Sequence, residues 1–355
     1  MHEEADFWLL PPPAATHAQV TVVIPCFCAA DTLLRAARSA LDQSLADVEL
    51  LIVDDASNDG SWQVVTQLAE EDSRVSAILH KRNCGKAIAM NRAIAHAHGR
   101  WVAVLDADDW YHYDRLAELV ALGERCQADL VADNQFLYDA PAASVVGTAW
   151  SQGETAWELD FDGFLSGSNA YETFNFGMLK PVLRLDFLRR TGLGYEPAAR
   201  HGQDFFHLLE FYLLGGKAVV SDRAYYYYTQ PYGDISRRWS RAGRKRYDFQ
   251  NAYEINQRYQ QSAEAVLSLP QLRHLRARTE RLKLLESYYR SKEAALHGDF
   301  ATAIGLLARN PKIFGYLCRR IYARLVKRPA FITTLDRIAE QSRRREEVNA
   351  RPYTS

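Results

Sequence analysis

Short apolar runs alternate with amphipathic segments along residues 20–110. Apolar runs of strand length occupy residues 20–24, 50–53 and 101–105. The intervening segments have apolar residues at helical spacing, for example Leu33, Leu34, Ala37 and Leu41. Strands that alternate with helices are typical of a parallel sheet covered on both faces. The pattern therefore predicts an α/β fold with a mostly parallel central sheet flanked by helices.

The remaining chain divides into segments of different character. Three prolines at residues 11–13 predict an extended, mobile lead-in over residues 1–18. Residues 139–177 are rich in Gly, Ser and Ala, which indicates loops, whereas residues 205–214 read as a helix and 217–220 as a strand. From about residue 240 the pattern indicates only helices, which prolines divide. We therefore expect a main domain over residues 19–236 and a helical C-terminal region over 237–355.

Charge is distributed unevenly between these two parts. The chain has 355 residues and a net charge of −1, yet residues 1–236 carry 17 basic and 33 acidic side chains, against 26 and 11 in residues 237–355. An acidic half suits a site that collects divalent metal, and a basic half suits phosphate, anionic lipid or nucleic acid. The alternative is that the two halves pair with each other. No nucleic-acid-binding motif is present, so we expect no nucleic-acid partner.

Cysteine spacing and hydropathy indicate the cellular compartment of the protein. Five scattered cysteines form neither a zinc pattern nor a disulfide framework. The acidic N-terminus is unlike a signal peptide, and no uninterrupted apolar run reaches the 18 residues of a spanning helix. These features predict a reduced, cytoplasmic protein.

The strongest candidate for chemistry is the D-A-D-D segment 106–109, which directly follows the apolar run 101–105. A D-x-D at the end of a buried strand places two carboxylates at the carboxyl edge of a sheet, where α/β proteins bind ligands. Hard divalent cations that carry phosphate ligands favour such carboxylates. A capped turn is the alternative.

Three further polar segments accompany it in a fixed order. The sequence D-D-A-S at 54–57 ends the second strand, N-C-G at 83–85 begins a helix and is followed by Asn91, and G-Q-D at 202–204 opens another apolar helix. For the first and last of these segments, an Asx-turn or helix cap is the alternative interpretation.

This order of motifs, over about residues 20–236, resembles the family 2 glycosyltransferases, which have the GT-A fold. The resemblance implies that Asp108 binds Mg²⁺ or Mn²⁺, that Asp106 contacts ribose or sugar, and that Asp109 helps to orient the donor. It also implies that Asp204 is the general base of an inverting transfer, although Gln203 stands where the family has Glu.

The same resemblance implies further contacts with a nucleotide sugar. Asp54 is the candidate acceptor for uracil N3–H, and an arginine over the diphosphate is expected from the segment that follows the four tyrosines at residues 225–228. The full set of expected donor-binding residues is Pro25, Asp54, Asp55, Asn83, Gly85, Lys86, Asp106, Asp109, Tyr228 and Arg237. Lys86 is placed to face phosphate, and the alternative is that its side chain is simply solvated. For the tyrosines at 225–228, the alternative is an aromatic strand packed in the core.

Within the family, the chain is similar to bacterial exopolysaccharide or lipopolysaccharide transferases of the succinoglycan type. That similarity implies a UDP-sugar donor and a lipid-linked saccharide acceptor at the inner face of the cytoplasmic membrane. The Q-x-x-R-W motif of processive synthases is not met, because Ile235 stands in place of Gln, so we expect a single addition.

Residues 312–328 contain six basic side chains and no acid, with apolar residues forming one stripe at helical spacing. This pattern is typical of an interfacial helix on anionic lipid, and a helix packed on the core is the alternative. Two other functions remain open for the whole chain. A nucleotidyltransferase would carry a Gly-rich basic loop after its first strand, which residues 25–30 lack. A non-catalytic nucleotide-sugar-binding scaffold would bind a donor without turning it over.

Overall fold

A computed structural model describes residues 2–3, 6–10, 18–168, 174–230, 249–309, 312–313 and 315. The described strands belong to one mixed sheet. They are β1 (His2–Glu3), β2 (Phe7–Leu10), β3 (Val20–Cys26), β4 (Val48–Asp54), β5 (Val75–His80), β6 (Trp101–Val104), β7 (Trp110–Tyr111), β8 (Leu130–Asp139), β9 (Ser144–Thr148), β10 (Ala156–Glu158), β11 (Val182–Arg184) and β12 (Ala218–Thr229). The described helices are α1 (Ala30–Leu41), α2 (Ser61–Glu71), α3 (Lys86–His96), α4 (Arg115–Cys126), α5 (Phe161–Ser166), α6 (Leu185–Thr191), α7 (Gln203–Leu213), α8 (Phe249–Ser262), α9 (Leu269–Leu296) and α10 (Phe300–Arg309).

The predicted parallel core is present. Strands run in the order β1-β2-β5-β4-β3-β6-β11-β8-β12-β10, and β5, β4, β3 and β6 are mutually parallel. Every residue of β4 is buried, as expected for a strand covered on both faces. Because the carboxyl ends of parallel strands meet at one edge, the residues that follow β3, β4 and β6 converge there. The α/β fold prediction is therefore confirmed.

Strand β11 continues the sheet beyond β6 but runs antiparallel to it. It pairs antiparallel with β6, with Val182 opposite Ala103, and also antiparallel with β8. The residues just before β11 therefore lie beside the carboxyl end of β6. This register brings residue 180 next to the D-x-D segment, although about 75 residues separate them along the chain.

Two segments differ from the sequence interpretation. Residues 7–10, expected within a mobile lead-in, form β2 and pair antiparallel with β5 at the sheet edge. The Gly- and Ser-rich stretch 139–177, expected as loops, contains β9, β10 and α5. In both places tertiary pairing supplies the order that local composition does not indicate.

The C-terminal helices pack on the main domain. Ile255 of α8 and Leu275 of α9 belong to the same apolar cluster as the buried residues of α3, α6 and α7. Pro270 lies in the first turn of α9 behind the N-cap Ser268, so this proline divides two helices as predicted. The proposed boundary at residues 236–237 falls outside the described residues. None of the described helices is both long enough and apolar enough to cross a bilayer.

Candidate active site

An open cavity of about 470 Å³ lies at the carboxyl edge of the parallel strands. The first turns after β3 and β6, the N-terminus of α3 and the loop before α7 form its walls. Seven of the twelve predicted site residues line it: Pro25, Asp55, Asn83, Gly85, Lys86, Asp106 and Asp108.

The D-x-D segment is held by strand β12. Asp109 is 1% exposed, and its carboxylate accepts hydrogen bonds from the Tyr226 hydroxyl (2.6 Å) and the Thr229 backbone N–H (2.7 Å). Arg35 donates to the backbone carbonyl of Asp108 (2.9 Å) and stacks over Trp110. Asp109 therefore anchors the turn, and its burial separates it from the cavity where donor contact was expected.

Asp108 faces the cavity. Among the described residues, no other residue donates a hydrogen bond to its carboxylate. Burial, and then the neighbouring charge of Asp106, raise the pKa of Asp108 to about 6. A cation at this carboxylate would relieve both effects, so Asp108 has the environment of a metal ligand.

Two lysines join Asp106 to Asp204. Lys180 Nζ lies 2.8 Å from Asp106 Oδ2 and 2.7 Å from Asp204 Oδ2. Lys86 Nζ lies 2.8 Å from Asp106 Oδ1 and 3.2 Å from Asp204 Oδ1. The four groups form a closed ring of alternating charge.

The ring determines the protonation of both carboxylates. Burial alone would raise the pKa of Asp204, but the charges of Lys180 and Lys86 outweigh it and lower the pKa. The same balance lowers the pKa of Asp106. Asp204 does not cap its helix, because the N-cap of α7 is Gly202 and no side chain caps it. The helix-cap alternative for Asp204 is therefore wrong, and its carboxylate is oriented by lysines.

The two adjacent carboxylates after β4 have different surroundings. Asp55 lines the cavity and accepts hydrogen bonds from the backbone N–H groups of Cys84 and Gly85 (both 2.7 Å). Asp54 is fully buried, and its carboxylate accepts from the Ser57 backbone N–H (2.8 Å). The structure therefore does not place Asp54 where it could contact uracil. The residue that reaches the cavity is Asp55.

Gly85 occupies a backbone conformation that favours glycine. Its φ of +91° opens helix α3, and a Cβ there would lie 3.2 Å from an Arg200 guanidinium nitrogen. Arg200 lines the opposite wall. Asn251 of α8 holds that wall, because its side chain accepts from the Arg200 backbone N–H (2.9 Å) and donates to the Ala198 carbonyl (3.0 Å). The C-terminal helices thus help to shape the cavity.

The last two predicted donor-binding residues are Tyr228 and Arg237. Tyr228 is half-buried with its ring against Phe174, and it does not line the cavity. Arg237 lies outside the described residues. Sequence reasoning missed Lys180 and Arg200, and no local motif marks either residue.

A GT-A-type sheet that ends in a D-x-D, with a carboxylate from a later helix linked to that segment through two lysines, defines a nucleotide-sugar-binding fold. The protein is similar to the structure of Staphylococcus aureus TarS 1–349 in complex with UDP-GlcNAc (TM-score 0.54, 15% identity, 83% of this chain and 92% of that one). It is also similar to the mannosyltransferase PcManGT of Pyrobaculum calidifontis in complex with GDP-Man and Mn²⁺ (TM-score 0.53, 18% identity, 96% and 90%). Both likenesses concern the fold.

The model of the family named Glycosyl transferase family 2 matches residues 21–164. Residues 21–164 therefore match a family 2 glycosyltransferase domain, which confirms the resemblance drawn from the motifs. It is 34% identical over 230 residues to the succinoglycan biosynthesis protein ExoO of Rhizobium meliloti, covering 64% of this chain and 65% of that protein. A 92-residue stretch is 35% identical to WfaP of Escherichia coli, named a UDP-Glc:alpha-D-GlcNAc-diphosphoundecaprenol beta-1,3-glucosyltransferase, covering 26% and 36%. The chain thus spans less than two thirds of the length of these curated relatives.

Proposed function

We propose that this protein is an inverting, metal-dependent hexosyltransferase that moves a sugar from a UDP-sugar to a lipid-linked saccharide during bacterial exopolysaccharide or lipopolysaccharide synthesis. One observation carries the proposal. A cavity at the carboxyl edge of the sheet is lined by Asp108 and by Asp106 and Lys86 of the charged ring, and Lys86 also pairs with Asp204 of helix α7. Transfer from a nucleotide diphosphate needs both a cation ligand and a base, since the leaving group must be neutralised and the acceptor hydroxyl must lose a proton.

The residues present fit a divalent metal ion. Asp108 has a carboxylate to which no other described residue donates a hydrogen bond, and its raised pKa reflects burial and then the nearby negative charge of Asp106. Carboxylates with phosphate oxygens are ligands of Mg²⁺ and Mn²⁺. A bound metal would stabilise the charge that develops on the departing diphosphate. PcManGT, which shares the fold, was solved with Mn²⁺.

Donor binding is assigned to the wall formed by β3, β4 and the start of α3. Asp55 fixes the backbone of Cys84 and Gly85 there, and Gly85 leaves room for a ligand beside Arg200. Lys86 is one-quarter exposed and opens α3, so its ammonium is available to a diphosphate. We assign Pro25 and Asn83 to the nucleotide side of this wall, and we assign Tyr228 and Arg237 to binding of the diphosphate.

Asp204 is the proposed general base. It lies in the first turn of α7, where the charges of Lys180 and Lys86 outweigh burial and lower the pKa of its carboxylate, which favours the ionised form. A base must be ionised before it can accept the proton of an acceptor hydroxyl. An in-line displacement requires the base and the metal on opposite sides of the anomeric carbon, which suits carboxylates such as Asp204 and Asp108 from distant parts of the chain.

The acceptor is proposed to be lipid-linked, with contact between the protein and an anionic membrane through residues 312–328. The name of WfaP states a diphosphoundecaprenol acceptor for that relative. Three large apolar side chains stand exposed near the end of α9 and along α10, before that basic run: Leu296 (76%), Phe300 (64%) and Ile304 (65%). Exposed apolar groups next to basic ones favour an interfacial location.

The first experiment is a thermal-shift panel of nucleotide sugars with Mn²⁺ and with EDTA, followed by an assay of UDP release. We expect one UDP-sugar to stabilise the protein only with metal, and the same compound to release UDP. Stabilisation without any UDP release would favour the scaffold alternative. No shift from any UDP compound in the presence of metal would contradict the D-x-D assignment.

A further inference from the structure

Lys180 is the most deeply enclosed member of the ring of charges. Its side chain is 4% exposed, whereas those of Lys86, Asp106 and Asp204 are 19–25% exposed. Burial alone would lower the pKa of Lys180, but Asp106 and Asp204 outweigh it and raise the pKa. Lys180 therefore stays charged, with its ammonium between the two carboxylates.

The backbone of Lys180 is fixed as firmly as its side chain. The fully buried Arg115 donates to the Lys180 carbonyl (2.5 Å) and forms an ion pair with Asp133 (2.8 Å). The next residue, Pro181, accepts a hydrogen bond from Val104, the last residue of β6. Lys180 is thus joined to the strand that leads into Asp106 and reaches across to the helix that carries Asp204.

Lys86 and Lys180 differ in access to the cavity. Lys86 lines it and Lys180 does not. A diphosphate that enters the cavity would compete with Asp106 and Asp204 for Lys86, whereas Lys180 is almost fully enclosed. If Lys86 turned to phosphate, Lys180 would be the cation that still holds Asp204.

We propose that Lys180 is a positioning residue of the transfer reaction, which locks Asp204 and Asp106 together so that the base keeps its place when the donor takes Lys86. This inference rests on the proposed function. It assigns Lys180 no contact with substrate, since its action runs through Asp204. Misplacing a reacting group by about 1 Å can lower the rate of reaction about 100-fold.

The test compares Lys180→Met, Lys180→Arg and Asp204→Asn with the double variant that combines Lys180→Met and Asp204→Asn. We expect Lys180→Met to lower kcat at least about 10-fold while KM for the UDP-sugar changes less than about 3-fold. Lys180→Arg keeps the charge and should recover part of the loss. The double variant should be no slower than Asp204→Asn alone, because residues that act through one another are not additive.

Folding is checked separately. The double variant removes the charges of Lys180 and Asp204 together, so neither partner of this ion pair is left alone. Its thermal stability and its metal-dependent UDP binding show whether the protein is still folded. Lys283→Met, at an exposed lysine of α9, is the matched control and should leave turnover unchanged. Losses that multiply in the double variant, or a Lys180→Met that raises KM at constant kcat, would overturn the positioning role. A wild-type protein without UDP release would instead count against the proposed function itself.

Discussion

Asn91 and Tyr195 are joined by two hydrogen bonds that link helix α3 to the loop before α7. The Asn91 amide donates to the Tyr195 carbonyl (2.8 Å), and its side-chain oxygen accepts from the Tyr195 backbone N–H (2.6 Å). The first turn of α3 carries Lys86, and the loop continues to Arg200 and Asp204. This pair therefore sets the spacing between the two walls of the cavity.

Asn91→Ala should remove that link. Leaving the Tyr195 backbone groups without partners is expected to cost about 1–3 kcal/mol of the free energy of unfolding. We also expect a higher KM for the UDP-sugar, because the Arg200 wall loses its tie to α3. Chemical denaturation and steady-state kinetics measure the two effects. Gln67→Ala removes an exposed hydrogen bond on α2 and is the control; equal stability of both variants would argue against the role of Asn91.

Asp108 and Asp109 are neighbours with opposite expected phenotypes. Asp108→Asn should abolish metal-dependent binding of a UDP-sugar and leave thermal stability nearly unchanged, since no other described residue donates to its carboxylate. Asp109→Asn should mainly destabilise the fold by about 1–3 kcal/mol, because its carboxylate accepts from Tyr226 and Thr229. Calorimetry with Mn²⁺ and with EDTA separates the two. Unchanged metal-dependent binding in Asp108→Asn would remove Asp108 as a ligand.

Asp204→Asn should leave affinity for the UDP-sugar intact while turnover falls at least about 100-fold, because an amide cannot accept the acceptor's proton. The amide is nearly isosteric, so the cavity keeps its shape. Donor affinity by calorimetry and initial rates of UDP release test this. A variant with near-normal turnover would exclude Asp204 as the base.

The local motifs were predictable from sequence, and the partners that orient them were not. The D-A-D-D segment follows an apolar strand, so its position at the sheet edge follows from strand length alone. Lys180 reaches Asp106 only because β11 runs antiparallel to β6, and a lysine before a short strand has no local signature. The sequence interpretation chose Asp54 for the uracil contact, whereas Asp55 lines the cavity, because adjacent strand residues point to opposite sides and the register decides which one faces the cavity.

Metal-dependent donor binding should weaken in acid. The Asp108 carboxylate must be deprotonated to bind a cation, and its pKa is raised to about 6 by burial and by Asp106. Protons therefore compete with metal below that value, and affinity should fall about tenfold per pH unit there and level off above it. A UDP-sugar is the appropriate probe, because its phosphodiester groups do not titrate in this range. An ordinary aspartate has a pKa of about 4 and would keep its affinity for metal constant from neutral pH down to about that value. Constant affinity over that range would therefore contradict a raised pKa for Asp108.

Charge reversal in the basic C-terminal run tests the membrane proposal. Replacing Arg319, Arg320 and Arg324 with Glu should release the protein from anionic liposomes, because each basic residue near the surface contributes roughly 1 kcal/mol. Binding of the wild type should also weaken with salt, since the attraction is screened.

The matched control for this experiment replaces Arg273, Arg276 and Lys283 with Glu, which makes the same change of net charge on exposed positions of α9. If this control also leaves the liposomes, the attraction belongs to the net charge of the whole basic half. If neither variant leaves, residues 312–328 do not mediate binding, and a helix packed on the core becomes the better interpretation. Loss confined to the first variant would assign the lipid contact to that run, which follows the exposed Phe300 and Ile304 in the sequence.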